Sequence, residues 1–472
     1  MALDPLERFV SFWKPLLTGD ELRALACYRD PDDPRVPGVN VWNTASESRP
    51  WRVTDGDDSF LLYAAVQPID EAPPGTEVLA EILDPAGAHH SYVLWFPAEG
   101  AIVVPFDPNA AIESFLREEY VPAAERTALP QPLLNLYYAV AKPLMPKSIK
   151  RRLRTSMAHR ALGVESALRW PSDESLDALQ RLLLKSVLLA SGLPELRFVW
   201  FWPDGHPWAA ILTHDVESSE GAANVTRVAE LETARGLKSS FNFVPLDYDV
   251  PAPLLDQLRD TGFEIGVHGD SHDGLLFSSR STFEHRVGTI NETARAWQAV
   301  GFRSPATYRN PDWMRLLELE YDSSYSNSAP CEPQPGGCGS FFPFLLGSLT
   351  ELPITLPQDH TLYGLFEQSD AGTWLTVLER IRRAGGMACV LTHPDPGAGY
   401  IGFPGNDAHY TRLLDEVAGS GAWTPLPRDL ARWWRARDAI SPAQIESMAE
   451  ESLGCATLGA DGRLAVVAPA PR

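Results

Sequence analysis

Basic residues are scarce in this chain. Lys and Arg number 40 against 62 Asp and Glu, a formal charge of −22. Phosphate recognition needs a basic face, so this balance argues against nucleic acid as a partner. Cysteine is sparse too. Cys27, Cys331, Cys338, Cys389 and Cys455 form an odd, scattered set with no metal-ligand pattern. Cys331 and Cys338 flank a Gly/Pro-rich loop and are able to pair, but a reduced cytoplasmic protein is the simpler reading. Long apolar runs are missing: no stretch of about 18 apolar residues occurs, so no membrane-spanning helix is expected. The start, Met1-Ala2-Leu3-Asp4-Pro5-Leu6-Glu7, lacks the basic residues and apolar run of a secretory signal. A cytoplasmic setting is therefore expected.

What is present suits a soluble multidomain protein. At 472 residues and 44% apolar, the chain is long enough for more than one core. Residues 1–20 read as an amphipathic helix with Phe9, Phe12 and Trp13 on its apolar side. Alternating or apolar runs at Ser59–Val66, Val78–Leu83, Tyr92–Phe96 and Ala101–Phe106, separated by turn residues, predict a small β-rich domain over 1–108. His89 and His90, at a turn, read as solvated. Residues 109–198 read as a helical connecting region. Its apolar helix Leu176–Leu189 is expected to dock on the domain that follows. Its basic segment Lys142–Arg154 suits either a weak contact with a membrane or an anionic precursor, or a solvated helix face. From 199 to 438 strands and helices alternate, which predicts a parallel sheet or barrel with loops gathered at the strand ends. Residues 439–472 read as a helix and a possible hairpin, Ala456–Leu458 with Leu464–Val467 around Asp461-Gly462.

The chemistry gathers past those strand ends. The run Glu264–Val267 leads into His268-Gly269-Asp270-Ser271-His272. If the backbone turns helical there, the spacing puts both imidazoles on one side, able to share a metal ion. Another strand ends Leu212-Thr213-His214-Asp215-Val216-Glu217, with two carboxylates that can lie in one pocket, one binding metal and one free as a base. Two His and one carboxylate leave coordination positions open, as a catalytic metal requires. Such a metal lowers the pKa of bound water from 15.7 towards roughly 7. The remaining carboxylate can then take its proton. His393, ending the strand Met387–Thr392, is placed to protonate a leaving group. Asp359-His360 looks pocket-like but carries no motif, and reads as loop. Trp313 suits either stacking on a sugar ring or packing.

Together these residues resemble the NodB-like polysaccharide deacetylases, carbohydrate esterase family 4, whose five ordered motifs have counterparts between about 205 and 435. The first resembles Thr213-His214-Asp215-Val216-Glu217, which implies Asp215 as catalytic base and Glu217 as metal ligand. The second is His268-Gly269-Asp270-Ser271-His272, implying both histidines as ligands. The third resembles Gly301-Phe302-Arg303-Ser304-Pro305, implying that Arg303 orients the base; Arg309-Asn310-Pro311 offers a second arginine. The fourth, Tyr321-Asp322-Ser323-Ser324, implies a groove-shaping, substrate-binding role for Asp322. The fifth, Val390-Leu391-Thr392-His393, implies His393 as general acid. The first motif departs from the family's two adjacent aspartates, so the roles of Asp215 and Glu217 are open to exchange.

The resemblance implies a distorted (β/α) barrel over 199–438 that removes N-acetyl groups from an N-acetylated sugar or glycan precursor. Its cofactor would be one divalent metal ion, Zn²⁺ first, with Co²⁺ or another divalent ion as alternatives. The same fold would also suit an amidase on a small cyclic amide, an O-acetyl esterase, or a metal- or glycan-binding module without turnover. Two His and one carboxylate also match non-haem iron oxygenases, but the strand–helix alternation and the separate His393 fit hydrolysis better.

Overall fold

The computed structural model describes residues 5–17, 21, 25–28, 37–42, 47–56, 58–121 and 168–470. They divide into two units. The first takes the described parts of Met1–Tyr120, Glu174–His206 and Ala436–Arg472; the second takes those of Val121–Asp173 and Pro207–Arg435. The basic segment Lys142–Arg154 lies outside the described residues.

In the first unit, β1 (Ala26–Tyr28), β2 (Gly38–Val41), β3 (Arg49–Asp55), β4 (Asp58–Ala64), β5 (Glu77–Leu83), β6 (His89–Phe96) and β7 (Ala101–Val104) form one mixed sheet, in the order β1-β2-β7-β6-β5-β3-β4. The inward residues of β4 alternate strictly (Phe60, Leu62 and Ala64 buried), the pattern of a half-buried strand. The apolar helix Ser175–Ser191, expected to dock on the domain that follows, belongs to the first unit and packs on this sheet, with Ser175 Oγ accepting the Leu61 N–H at 3.0 Å. His89 and His90 are not solvated at a turn. They begin β6, and their rings reach the carbonyls of Ile69 and Val66 at 2.8 and 3.2 Å. The carboxy-terminal hairpin also belongs to this unit. A strand β8 (Glu195–Val199) pairs antiparallel with Leu453–Leu458, which pairs in turn with Leu464–Val467. Segments 1–108 and 439–472, separate in the sequence reading, are thus parts of one unit. The buried Arg437 guanidinium donates to the carbonyls of Val199 (2.8 Å) and Trp200 (3.1 Å) there, and burial pushes its pKa down to about 9.

The second unit is a mixed α/β fold on a curled sheet. Its strands are β9 (Ala209–Val216), β10 (Ser239–Phe243), β11 (Glu264–Val267), β12 (Gly301–Phe302), β13 (Tyr321–Asp322), β14 (Phe344–Leu346), β15 (Leu349–Glu351) and β16 (Met387–Thr392). They lie in the order β14-β15-β13-β12-β11-β10-β9-β16, all parallel except the edge strand β14. Every residue of β9, β10, β11 and β16 is buried, as expected of parallel strands covered on both faces. The helix Arg280–Trp297 supplies Phe283, Val287, Ile290 and Ala294 to a core shared with Val267, Phe302 and Met314. Past β15 the curl meets β16 without a regular ladder. The Thr355 N–H reaches the Cys389 carbonyl at 3.2 Å, and its hydroxyl bridges Met387 O and Cys389 N–H. No helix among the described residues is long and apolar enough to cross a membrane.

Candidate functional site

Strand register assembles the site. Val216, Phe243, Val267, Phe302 and Asp322 form one row across five neighbouring strands. One residue further on stand Glu217, His268 and Arg303, so a parallel sheet carries three widely separated segments to one rim. On β16, Thr392 aligns with His214 of β9, which brings His393 level with Asp215.

Ligand atoms of Glu217, His268 and His272 lie within 4.8 Å of one another, and no other such group is found among the described residues. The backbone from 268 to 272 is not helical. Gly269 takes φ +67°, and Asp247 holds the far side of the turn, accepting from the His272 N–H (2.8 Å) and the Ser271 hydroxyl (2.5 Å). The imidazoles converge, with centroids 5.3 Å apart, through this irregular turn rather than through helical spacing.

The donor set fits a divalent cation. His268 Nδ1 donates to the Arg303 carbonyl at 3.0 Å, which leaves Nε2 without a proton. That Nε2 is buried and has no hydrogen-bond partner. An orphaned buried lone pair is costly, about 1–3 kcal/mol, unless something accepts it. Burial also pushes the His268 pKa down to about 4, so the imidazole stays neutral as a ligand must. His272 Nε2 lies 3.0 Å from Glu217 Oε1. Burial raises the Glu217 carboxyl, but His272 and the neighbouring imidazoles outweigh it and hold the group well below the usual carboxylate range.

Asp215 stands beside this cluster on another set of bonds. Its Oδ1 accepts from Asn242 Nδ2 (2.9 Å) and Arg303 Nη1 (3.2 Å), while Oδ2 lies 3.7 Å from His268 Nδ1. Burial pushes the carboxyl up; His268 and the Arg303 guanidinium pull it below its ordinary value. Arg303 is fully buried and fixed at three nitrogens, to Ser323 O (2.7 Å), Thr213 Oγ1 (2.8 Å) and Ser323 Oγ (2.7 Å). Arg309 lies elsewhere, its guanidinium on the Thr307 carbonyl and over the Tyr325 ring. Arg303 is therefore the arginine the structure brings to Asp215.

His393 closes the opposite side. Its Nε2 is 3.7 Å from Glu217 Oε1, and its Nδ1 donates to Asp359 Oδ1 at 2.7 Å. Asp359 Oδ2 accepts the backbone N–H groups of His393 and Ile401, both at 2.9 Å. Burial lowers the His393 pKa, but Asp359 outweighs it and pushes it up to about 10.

Asp322 and Trp313 are not brought to this cluster. Asp322 is fully buried, its carboxylate accepting from the Ser324 hydroxyl (2.7 Å) and N–H (3.2 Å). Burial raises its pKa, and it shares a hydrogen bond with Glu351. Trp313 stacks on Phe277 (6.1 Å, 8°) and packs against the core that the helix Arg280–Trp297 builds. Three residues here escape sequence reasoning, and a fourth, Asp359, is read there as loop although the structure sets it against His393. Asn242 and Asp359 hold the carboxylate and the imidazole. Asp395 accepts the Glu217 N–H at 3.0 Å and the hydroxyl of Ser218, which caps the helix Ser219–Thr233. Tyr400 stacks on His393. A polar Asn inside the buried run of β10 and an acid two residues past His393 are visible signals; Tyr400 has none.

No protein-family model matches the chain, and no curated protein does. Several solved structures are similar to about half of it. A Mycobacterium smegmatis protein assigned as a polysaccharide deacetylase is 20% identical, the match covering 51% of this chain and 94% of that one, with a TM-score of 0.42. The peptidoglycan deacetylase PdaC from Bacillus subtilis is 14% identical over 50% and 96%, TM-score 0.34. The Puue allantoinase is also similar, 14% identical over 51% and 94%, TM-score 0.39.

Proposed function

We propose that this chain is a divalent-metal-dependent hydrolase that removes the acetyl group from an N-acetylated sugar or glycan precursor. One observation carries the reading: Glu217, His268 and His272 converge within 4.8 Å, with a separate carboxylate, Asp215, on one side and an imidazole, His393, on the other. These three would hold the cation, Zn²⁺ first. When bound, it supplies Lewis acidity, polarising the acyl oxygen and acidifying the attacking water.

The chain's own groups do the rest. Asn242 and Arg303 hold Asp215 Oδ1, which fixes the carboxylate and leaves Oδ2 to take the proton of the attacking water. As the C–N bond of the acetamide breaks, the departing nitrogen needs a proton. His393 offers one at Nε2, the ring edge that faces Glu217, because Nδ1 is committed to Asp359. The products are acetate and a free amine.

The test is acetate release from N-acetylated chitooligosaccharides by the metal-loaded protein. Chelation is expected to lower the rate by at least about a hundredfold, several kcal/mol of charge stabilisation, and added Zn²⁺ to restore it. A protein that binds metal yet releases no acetate from any acetylated sugar would overturn the reading.

The ion pair with Asp359 sets a pH dependence. It favours imidazolium, so it holds the alkaline limb of the rate profile high, although a bound cation repels that charge and draws the limb back towards neutrality. In Asp359→Asn the counter-charge is gone and the His393 pKa falls. The alkaline limb of kcat/KM is expected to move down by one pH unit or more, with about a tenfold loss at pH values above both limbs. An unshifted limb would mean that another group supplies the proton.

A further inference from the structure

We propose that Tyr400 is a positioning residue whose hydroxyl makes Glu217 a one-oxygen ligand; this rests on Glu217, His268 and His272 holding a metal ion. The Tyr400 hydroxyl donates to Glu217 Oε2 at 3.1 Å. The other oxygen, Oε1, faces His272 Nε2 at 3.0 Å and His393 Nε2 at 3.7 Å. The carboxylate is thus divided, one oxygen turned to the ligand cluster and the other held by a phenol. A carboxylate free to use both oxygens would fill a position that a catalytic site keeps open for water and substrate.

The loop that carries Tyr400 is built for this placement. Between β16 and the helix Asp407–Ala418 the chain folds back on itself. The Gly402 N–H reaches His393 O (3.1 Å), the Tyr400 N–H reaches Gly397 O (3.0 Å), and Asn406 Nδ2 reaches Tyr400 O (3.0 Å). Ile401 donates to the same Asp359 oxygen as the His393 N–H, so the loop and the acid share one anchor. Two glycines admit no substitute. A Cβ on Gly402 would lie 1.8 Å from Pro394 O, and one on Gly399, at φ +104°, would lie 2.5 Å from the Gly364 Cα. The result is a ring stacked on His393, with centroids 4.3 Å apart and planes at 22°, and a hydroxyl aimed at a ligand oxygen.

The experiment titrates Co²⁺ into the metal-free full-length protein, its Tyr400→Phe variant and its Tyr400→Leu variant. It reads both the dissociation constant and the intensity of the visible Co²⁺ bands, which falls as coordination number rises. Phe keeps the ring over His393 and removes only the hydroxyl. It is expected to weaken Co²⁺ binding about tenfold, the usual scale for a partner of a metal ligand, and to dim the bands. Leu should do the same. Phe matching the parent within about twofold in affinity, with an unchanged spectrum, overturns the proposal while the metal site stands. The same holds if only Leu changes, since the ring would then be responsible. No saturable Co²⁺ binding by the parent protein overturns both this inference and the proposed function.

Discussion

Replacing Asp215 with asparagine is expected to cut kcat/KM by roughly 10²–10⁴-fold, the usual contribution of a general base, while metal affinity stays nearly unchanged. The two side chains are isosteric. The amide oxygen of the variant would still accept from Asn242 and Arg303, whose bonds at 2.9 and 3.2 Å hold the position now. What disappears is the oxygen that takes a proton. Glu217→Gln should do the reverse at first hand, weakening metal binding, because Glu217 rather than Asp215 stands within 3.0 Å of His272. Measuring both metal affinity and turnover in the two variants decides between the two assignments that the unusual first motif leaves open. Metal lost from Asp215→Asn and kept in Glu217→Gln would mean that the carboxylates have exchanged roles.

The parts of this site that could be read from sequence are those that sit directly on strand ends. β9, β11 and β16 are apolar runs that stop abruptly at polar residues, and a parallel sheet aligns those stops, so Asp215, Glu217, His268 and His393 carry both a fold signal and a chemical one. The supports are harder to see because tertiary contact creates them. Asp359 lies 34 residues before His393 in a segment with no motif, delivered where the chain after β15 meets β16 through Thr355. The spacing of the histidine pair predicts a helical turn. Spacing alone cannot tell such a turn from the glycine-broken one that Asp247 clamps from a neighbouring strand end. Asp322 stands at its motif position, yet burial beside Glu351 turns its carboxylate inward. In the first unit, the pairing of Glu195–Val199 with Leu453–Leu458 joins segments more than 250 residues apart, and no local pattern announces it.

Metal loading should be visible as stability before it is visible as activity. His268 offers a buried, unprotonated Nε2 that has no partner in the protein. A cation that takes up this lone pair and those of Glu217 and His272 binds the folded chain and not the unfolded one. At a hundred times its dissociation constant it adds about 2.7 kcal/mol, a rise of roughly 5–10 °C in the melting of a unit this size. His268→Ala should remove most of that rise. If three ligands share the roughly 10–16 kcal/mol found for tight zinc sites, losing one costs about 3–5 kcal/mol, or roughly 10²–10⁴-fold in affinity. His272 adds a sign that can be checked in the same titration. Burial lowers its pKa, but Glu217 outweighs it and raises it above the usual imidazole value, so the neighbouring carboxylate favours the protonated ring. That proton must leave before Nε2 can bind metal, so loading should release protons and affinity should fall as pH drops. Calorimetry in two buffers of different ionisation enthalpy measures the release. Thermal shifts of equal size in the parent protein and His268→Ala would place the cation somewhere other than this cluster.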